Sequence, residues 1–390
     1  MRGSVRAKAT GKEVAPQAHT FRLRHCGHRN ACSRTLDTIK NSNHCTVQQT
    51  AAVMVRVTLL CVLLATTEAM RPPAKVVVLD TYTATAGVFQ DRDAAWRPAL
   101  RDGDELVVYD RTAPSDVVER LSGADVAVVN KVLVTDSLLS AVPSLGLVSV
   151  TATGVNNVDL DACKQRGVAV TNVPAYSTPS VAQHVVACVL DFTNKIHGQS
   201  AAVRDGAWLN SPDFCCFPER TVEIAESVFV VIGGGATGTA VATAASALGA
   251  DVRVVSARDR RSLDAALADA DFVSLHVPLA PETESLVDAA FLDALKPSCC
   301  FINTARGPIV DEGALLAALN DDGLAAAYLD VLAEEPPRKD SPGAALIAHD
   351  RCFVTPHTAW ATDQSRRRLV DTACASIAAF LRGDELKYQV

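Results

Sequence analysis

Residues 229–258 read FVVIGGGATGTAVATAASALGADVRVVSAR, and Gly233, Gly235 and Gly238 stand at GxGxxG spacing between an apolar run and an alanine-rich stretch. Each glycine has a separate task in such a turn. The first permits the tight bend, the second lets backbone N–H groups approach a pyrophosphate, and the third lets helix and strand pack closely. Ala236 and Thr237 lie between the last two glycines, where the helix opens and its N-terminus offers partial positive charge to phosphate. The alternative is a glycine-lined structural turn. Placement inside a βαβ unit of about thirty residues favours the phosphate cradle.

The end of the second apolar run sorts the possible dinucleotides. An Asp or Glu there binds a ribose 2′-hydroxyl, but this chain has Ser256, followed by Arg258, Asp259, Arg260 and Arg261. A carboxylate at the strand end would repel a 2′-phosphate, whereas a hydroxyl beside a guanidinium would bind it. The expected cofactor is therefore NADP(H), with NAD(H) the alternative. The competing view of Arg258, Arg260 and Arg261 is a solvated start to the next helix.

Apolar runs of four to six residues, separated by amphipathic stretches, must place these groups. From Lys75 they are VVVLD (76–80), ELVVYD (105–110), ADVAVVN (124–130), LGLVSVT (145–151) and GVAVTN (167–172), with a helix near 114–122. VPAYSTPSVAQH (173–184) marks a break, and a long helix begins near Ser180. The alternation then resumes with FVVIG (229–233), VRVVS (252–256), FVSLH (272–276), CCFIN (299–303), AAAYLD (325–330) and CFVTP (352–356). A final helix is expected over 361–382, with Arg366-Arg367-Arg368 on a solvated face. Such runs are parallel strands buried on both faces. The fold class is α/β, with two doubly wound parallel sheets.

Composition narrows the function. The chain has 390 residues, 48% hydrophobic and 21% charged, within the globular range. Residues 1–73 hold 11 Lys/Arg against 3 Asp/Glu, which leaves 26 basic and 41 acidic residues in 74–390. A body this acidic is a poor match for nucleic acid. The twelve cysteines include the adjacent pairs Cys215/Cys216 and Cys299/Cys300, with no CxxC spacing. Reduced, mostly buried thiols are expected rather than a disulfide framework. His25, Cys26, His28 and Cys32 are the one cluster with metal-ligand flavour, but they sit in the basic leader, and no metal site is expected. VTLLCVLLA (57–65) is too short to span a bilayer and resembles a signal-peptide core. Residues 1–73 are expected to be a leader outside the fold: signal-like, transit-like, or upstream translation if Met54 is the start. The first two imply a secretory or organelle route, the last the cytosol. No stable membrane insertion of the body is expected.

Three further stretches complete the pattern: FINTARGPIVDEGALLAAL (301–319), AAAYLDVLAEEPP (325–337) and VTPHTAWAT (354–362). Together with the glycine motif they resemble the D-isomer-specific 2-hydroxyacid dehydrogenases, over essentially all of 75–390. Residues 152–184 and SPDFCCF (211–217) look most like the glycerate dehydrogenase/hydroxypyruvate reductase branch. The resemblance implies reduction of a small 2-keto acid to a D-2-hydroxy acid. That chemistry needs a cation for the carboxylate and C2 oxygen, a hydride donor, and a proton donor for the forming alkoxide. Arg306 resembles the family's substrate arginine, whose planar fork suits the first task. His357 resembles its acid/base residue. A carboxylate beside such a histidine favours the protonated ring. Glu334 and Glu335 both offer one, and Glu335, directly before Pro336, matches the family motif.

By the same resemblance, Thr153 and Gly154 offer backbone N–H groups to the substrate carboxylate. Asp330 contacts the nicotinamide carboxamide, and Pro278, Thr304 and Ala305 line the cofactor. His276 and His184 read as structural, and Trp360 as lining the substrate entrance or the core. The implied architecture is a Rossmann coenzyme domain, 174–356, inserted in a flavodoxin-like substrate domain, 74–173 with 357–390. Hinges would fall near 173–179 and 354–358, and a homodimer would form through the coenzyme domain. Ala236-Thr237 replaces the family's Arg-Ile, and Glu226-Ser227-Val228 replaces its Gly-Lys-Thr. Two rivals remain: a phosphoglycerate dehydrogenase-like enzyme, disfavoured because no regulatory domain follows the last helix, and a dinucleotide-sensing binding protein of the same fold.

Overall fold

Runs such as Lys75–Val78, KVVV, and Val126–Val129, VAVV, are β-branched and apolar on both faces, so they form strands that must be covered on both sides. The computed structural model describes residues 72–390, a single compact unit. The signal-like segment and the His25–Cys32 cluster lie outside the described residues.

All eleven expected strands form, most of them shorter than expected, while β1, β6 and β7 begin one residue earlier. β1 (Lys75–Val78), β2 (Glu105–Val108), β3 (Val126–Val129), β4 (Leu147–Val150) and β5 (Ala169–Thr171) make a parallel sheet in the order β2-β1-β3-β4-β5. β6 (Val228–Ile232), β7 (Asp251–Val255), β8 (Phe272–Leu275), β9 (Cys300–Asn303), β10 (Ala326–Leu329) and β11 (Cys352–Val354) make a second, in the order β11-β10-β9-β8-β6-β7. Both orders reverse beside the first strand, at β1/β3 and at β6/β8. These are the switch points that leave a crevice at the carboxyl ends of the strands. The second sheet carries one strand beyond β6, where the usual Rossmann order has two.

Three long helices matter for the site: α1 (Thr178–Asn194), α2 (Ala236–Ala247) and α3 (Asp363–Arg382). Val185 and Val189 of α1 meet Val241 and Ala245 of α2 over β6, with Val231 beneath. α3 returns to the first sheet, burying Leu369, Val370, Ile377 and Leu381 among Val76, Val78, Val126 and Leu147. Each such side chain contributes roughly 2 kcal/mol of burial. Thr362 caps α3 through Ser365 N, and Gly383 ends it at φ 79°.

Two expectations need correction. The segment near 114–122 is not one helix: Pro114–Asp116 is a 3-10 turn and Val117–Arg120 a single helical turn. Arg366-Arg367-Arg368 is not merely a solvated face. Arg366 donates to the Ala84 and Ala86 carbonyls, Arg367 to that of Val88, and Arg368 to that of Tyr176. The carbonyls of a loop with no ladder partner still need donors, and the guanidinium forks supply them. Of the described cysteines, Cys163, Cys188, Cys299, Cys300, Cys352 and Cys374 are buried and all eight are free thiols.

Candidate active site

A cleft of about 890 Å³ brings together Thr153, Gly154, Thr304, Ala305, Arg306, Asp330, Glu335 and His357. Pro278 and Thr237 also line it. These residues come from loops after β4, β8, β9, β10 and β11 and from the start of α2, which only the parallel topology gathers at one end.

His357 and Glu335 are in direct contact, with His357 Nδ1 2.6 Å from Glu335 Oε2. Glu334 turns away to pair with Arg338 at 3.0 Å, which leaves Glu335 alone facing the ring. Burial pushes the Glu335 carboxyl up, but the His357 bond and charge, the Leu332 N–H and the Lys131 charge outweigh it and hold the group below its ordinary 4.5. With Nδ1 engaged, Nε2 is the ring atom left for a substrate.

The backbone at His357 is held where few residues settle, at φ 54°. Its N–H reaches the carbonyls of Asp330 and Thr355, both at 2.9 Å. Asp330, fully buried, accepts from Thr355 Oγ1 at 2.6 Å, Thr358 N at 2.8 Å and Ala359 N at 2.9 Å. α1 grips the same loop: Ser180 Oγ donates to the Ala359 carbonyl at 2.5 Å, and His184 Nε2 lies 3.3 Å from Thr355 Oγ1. Asp330 therefore clamps the His357 loop as well as lining the cleft. Sequence reasoning missed this role, because a carboxylate's loop partners carry no spacing signal.

Arg306 follows β9 on a turn shaped by buried Asn303, whose Nδ2 donates to the Arg306 carbonyl and whose Oδ1 accepts from Ala305 N. Its Nη1 donates to the Ala305 carbonyl at 2.7 Å, and it forms no ion pair among the described residues. Gly154 faces it closely enough that a Cβ there would lie 3.0 Å from Arg306 Nη2. The N–H groups of Thr153 and Gly154 have no backbone partner among the described residues, while Thr153 Oγ1 donates to the Val173 carbonyl at 3.0 Å. The cleft thus offers an anion the remaining donors of a guanidinium that has no ion pair, and two N–H groups with no backbone partner, among the described residues. Lys131, Asn156 and Tyr176 also line it, and sequence reasoning did not single them out. Trp360 lines it too, edge-on to Tyr176 at 6.1 Å between centroids. His276 sits at the same wall, bonded to Ser274 Oγ at 2.5 Å, and burial pushes its ring down to about 4.

The glycine turn fits a dinucleotide. Gly233 has φ 107°, and a Cβ there would strike the His276 carbonyl; one at Gly238 would strike the carbonyl of Gly233. A Cβ at Gly235 would meet nothing within 4 Å. That open space lies at the N-terminus of α2, which no side chain caps. Thr304 Oγ1 is buried without a hydrogen-bond partner. Ser256 and Arg258 lie outside the cleft wall, exposed just past the end of β7, the strand that pairs with β6. Asp259 caps helix Arg260–Leu267, accepting from Ser262 N and Oγ, which ties its carboxylate to the start of that helix rather than to the strand end. Glu226, where the resemblance puts glycine, has φ 67°.

Two doubly wound sheets, a cradle for a dinucleotide and a cleft holding Arg306, Glu335 and His357 define an oxidoreductase that uses a nicotinamide dinucleotide. The family model for the NAD-binding domain of D-isomer specific 2-hydroxyacid dehydrogenases matches residues 186–359. The chain is 34% identical over 322 residues to a hydroxypyruvate reductase of Blautia hydrogenotrophica, covering 79% of this chain and 97% of that protein. It is 38% identical over 285 residues to a glycerate dehydrogenase of Methylorubrum extorquens, covering 72% and 90%. The crystal structure of a D-lactate dehydrogenase from Aquifex aeolicus, complexed with NAD and lactic acid, superimposes with a TM-score of 0.68 at 27% identity, covering 80% of this chain and 96% of that one. The chain belongs to the D-isomer-specific 2-hydroxyacid dehydrogenase family.

Proposed function

We propose that the chain reduces small 2-keto acids, hydroxypyruvate and glyoxylate foremost, to D-2-hydroxy acids with NADPH, reversibly. The observation that carries this reading is the 2.6 Å contact of His357 with Glu335 in the same cleft as an unpaired Arg306. The N–H groups of Thr153 and Gly154 and the Arg306 fork hold the substrate carboxylate and orient the C2 oxygen. His357 Nε2 gives that oxygen its proton, and Glu335 holds the ring through Nδ1 and balances its charge. A bound nicotinamide would supply the hydride to C2. Gly233, Gly235, Ala236, Thr237 and Gly238 would hold its pyrophosphate, with Pro278, Thr304, Ala305 and Asp330 around the nicotinamide end. Ser256 and Arg258, with the nearby Asp259 carboxylate engaged in its helix cap, would take the 2′-phosphate of NADPH.

The homodimer expected from the resemblance is part of the same reading. Exposed Leu209, Phe214 and Phe217 offer apolar surface in the segment between α1 and β6. The hinges near 173–179 and 354–358, and the coenzyme domain between them, are proposed with it, as is a secretory or organelle route for the leader. Among the described residues no helix is long and apolar enough to cross a membrane.

The test is consumption of NADPH and NADH by the purified chain over a panel of keto acids, with Ser256→Asp, Arg306→Lys and His357→Gln beside it. Turnover on hydroxypyruvate and glyoxylate is expected. Ser256→Asp should shift the NADPH-to-NADH preference at least tenfold toward NADH, about 1.4 kcal/mol of discrimination. Arg306→Lys should cost about 100-fold in kcat/KM, as loss of one oriented donor does elsewhere. No turnover on any keto acid would favour the dinucleotide-sensing protein instead.

A further inference from the structure

The first sheet also reverses its order, at β1/β3, and a second cavity of about 740 Å³ opens there, past the carboxyl ends of β1, β2 and β3. Its size is that of a small-ligand site. Val117 and Leu138 lie buried at its base, and Tyr82, Val118 and Leu133 line it while 44%, 45% and 67% exposed. Exposed apolar side chains gathered in one concavity are unusual on a protein surface.

The charge around it is one-sided in effect. Asp80 is used by the chain itself, accepting from Asn130 N at 2.7 Å and Lys131 N at 2.6 Å. Asp110 pairs with Arg92 at 2.7 Å, and Asp116, next to lining residue Val117, with Arg120 at 3.2 Å. Arg111 and Lys131 form no ion pair among the described residues; the Arg111 guanidinium lies 3.7 Å over the Tyr82 ring. Two cations outside any ion pair among the described residues thus border an apolar bowl, and the Lys131 charge also reaches Asp80 and Glu335.

We propose that this cavity is a binding site for a small amphipathic carboxylate, its apolar body on Tyr82, Val118 and Leu133 and its anionic head between Arg111 and Lys131. Thr83, Asn130 and Lys131 line both this cavity and the catalytic cleft, so an occupant adjoins the cleft without filling it. The site does not depend on which keto acid is reduced.

Phenylacetate, which has no keto group to reduce, is the probe, with benzyl alcohol as its neutral counterpart. Titrated calorimetrically into the full chain, phenylacetate should saturate with a Kd below about 1 mM, and oxamate held in the catalytic cleft with NADPH should not displace it. Benzyl alcohol should bind at least tenfold more weakly. Leu133→Glu and Arg111→Glu, both at exposed positions, should each weaken phenylacetate at least tenfold, while Arg306→Lys leaves it unchanged. Absence of saturation, displacement by oxamate, or loss in Arg306→Lys but not in the two rim variants would overturn the proposal.

Discussion

The two sheets make the same crevice and equip it differently. At β6 the crevice is lined by backbone: a glycine turn, open space over Gly235, and the uncapped start of the twelve-residue α2. At β1 it is lined by side chains. Asp80 ties the ends of β1 and β3 together, and only helices of four or five residues and 3-10 turns follow β1 and β2. Topology creates the cavity, whereas the turn after the first strand decides its chemistry. Free N–H groups and a helix dipole suit phosphate, and an apolar bowl with cations at the rim suits a carboxylate with a body.

The comparison breaks first at Gly235. A Cβ there meets nothing within 4 Å of the folded chain, so Gly235→Ala should leave folding unaffected while the pyrophosphate loses its space. Dinucleotide affinity should fall about 100-fold, near 2.7 kcal/mol, by calorimetry, with phenylacetate binding unchanged. If both ligands suffered together, the crevices would not be independent.

The second effect is electrostatic and specific to the six-stranded side. His276 has its ring pushed from 6.5 to about 4 by burial, so it stays neutral in the folded chain while the unfolded chain takes up a proton. Its contribution is complete above pH 6.5 and is lost as pH falls from 6.5 to 4, at most about 3 kcal/mol. Urea unfolding of the wild type and His276→Gln across that window should converge toward the acid end. Parallel curves would remove His276 from this role.

On the five-stranded side, Asp80→Asn should weaken two bonds that a carboxylate makes to backbone N–H groups. A loss of about 1–2 kcal/mol in unfolding free energy is expected at pH 7, with NADPH affinity unchanged. The smallest effect is at Glu226, held at φ 67°. Glu226→Gly relieves the left-handed strain and costs some unfolded-state entropy, for a net gain below about 1 kcal/mol and a rise of up to a few degrees in Tm. A fall in Tm would show that the side chain earns its place there.

How much of this was legible follows from the range of the interactions involved. The eleven strands, the glycine turn, and the stretches carrying Arg306, Glu335 and His357 could be read because they rest on period, spacing and family motif, all local along the chain. The single helix expected over 114–122 failed because Pro114 starts a 3-10 turn that the apolar pattern does not reveal. The three arginines of α3 read as solvated because their carbonyl partners lie far off in sequence, about 280 residues away on 84–88 for Arg366 and Arg367 and 192 away at Tyr176 for Arg368. The choice between Glu334 and Glu335 needed a motif in the sequence and became a distance in the structure.

The sequence by itself determined two parallel sheets, a dinucleotide turn and the family's motifs, because burial pattern, glycine placement and motif spacing act over a few residues. Only the tertiary structure decided what those residues face. Asp330 holding the His357 loop, Asp259 spent as a helix cap, and Arg111 and Lys131 beside an apolar bowl all follow from which loops a parallel sheet brings to one end. No spacing encodes that, since hydrogen bonds and charges are satisfied by neighbours in space rather than in sequence.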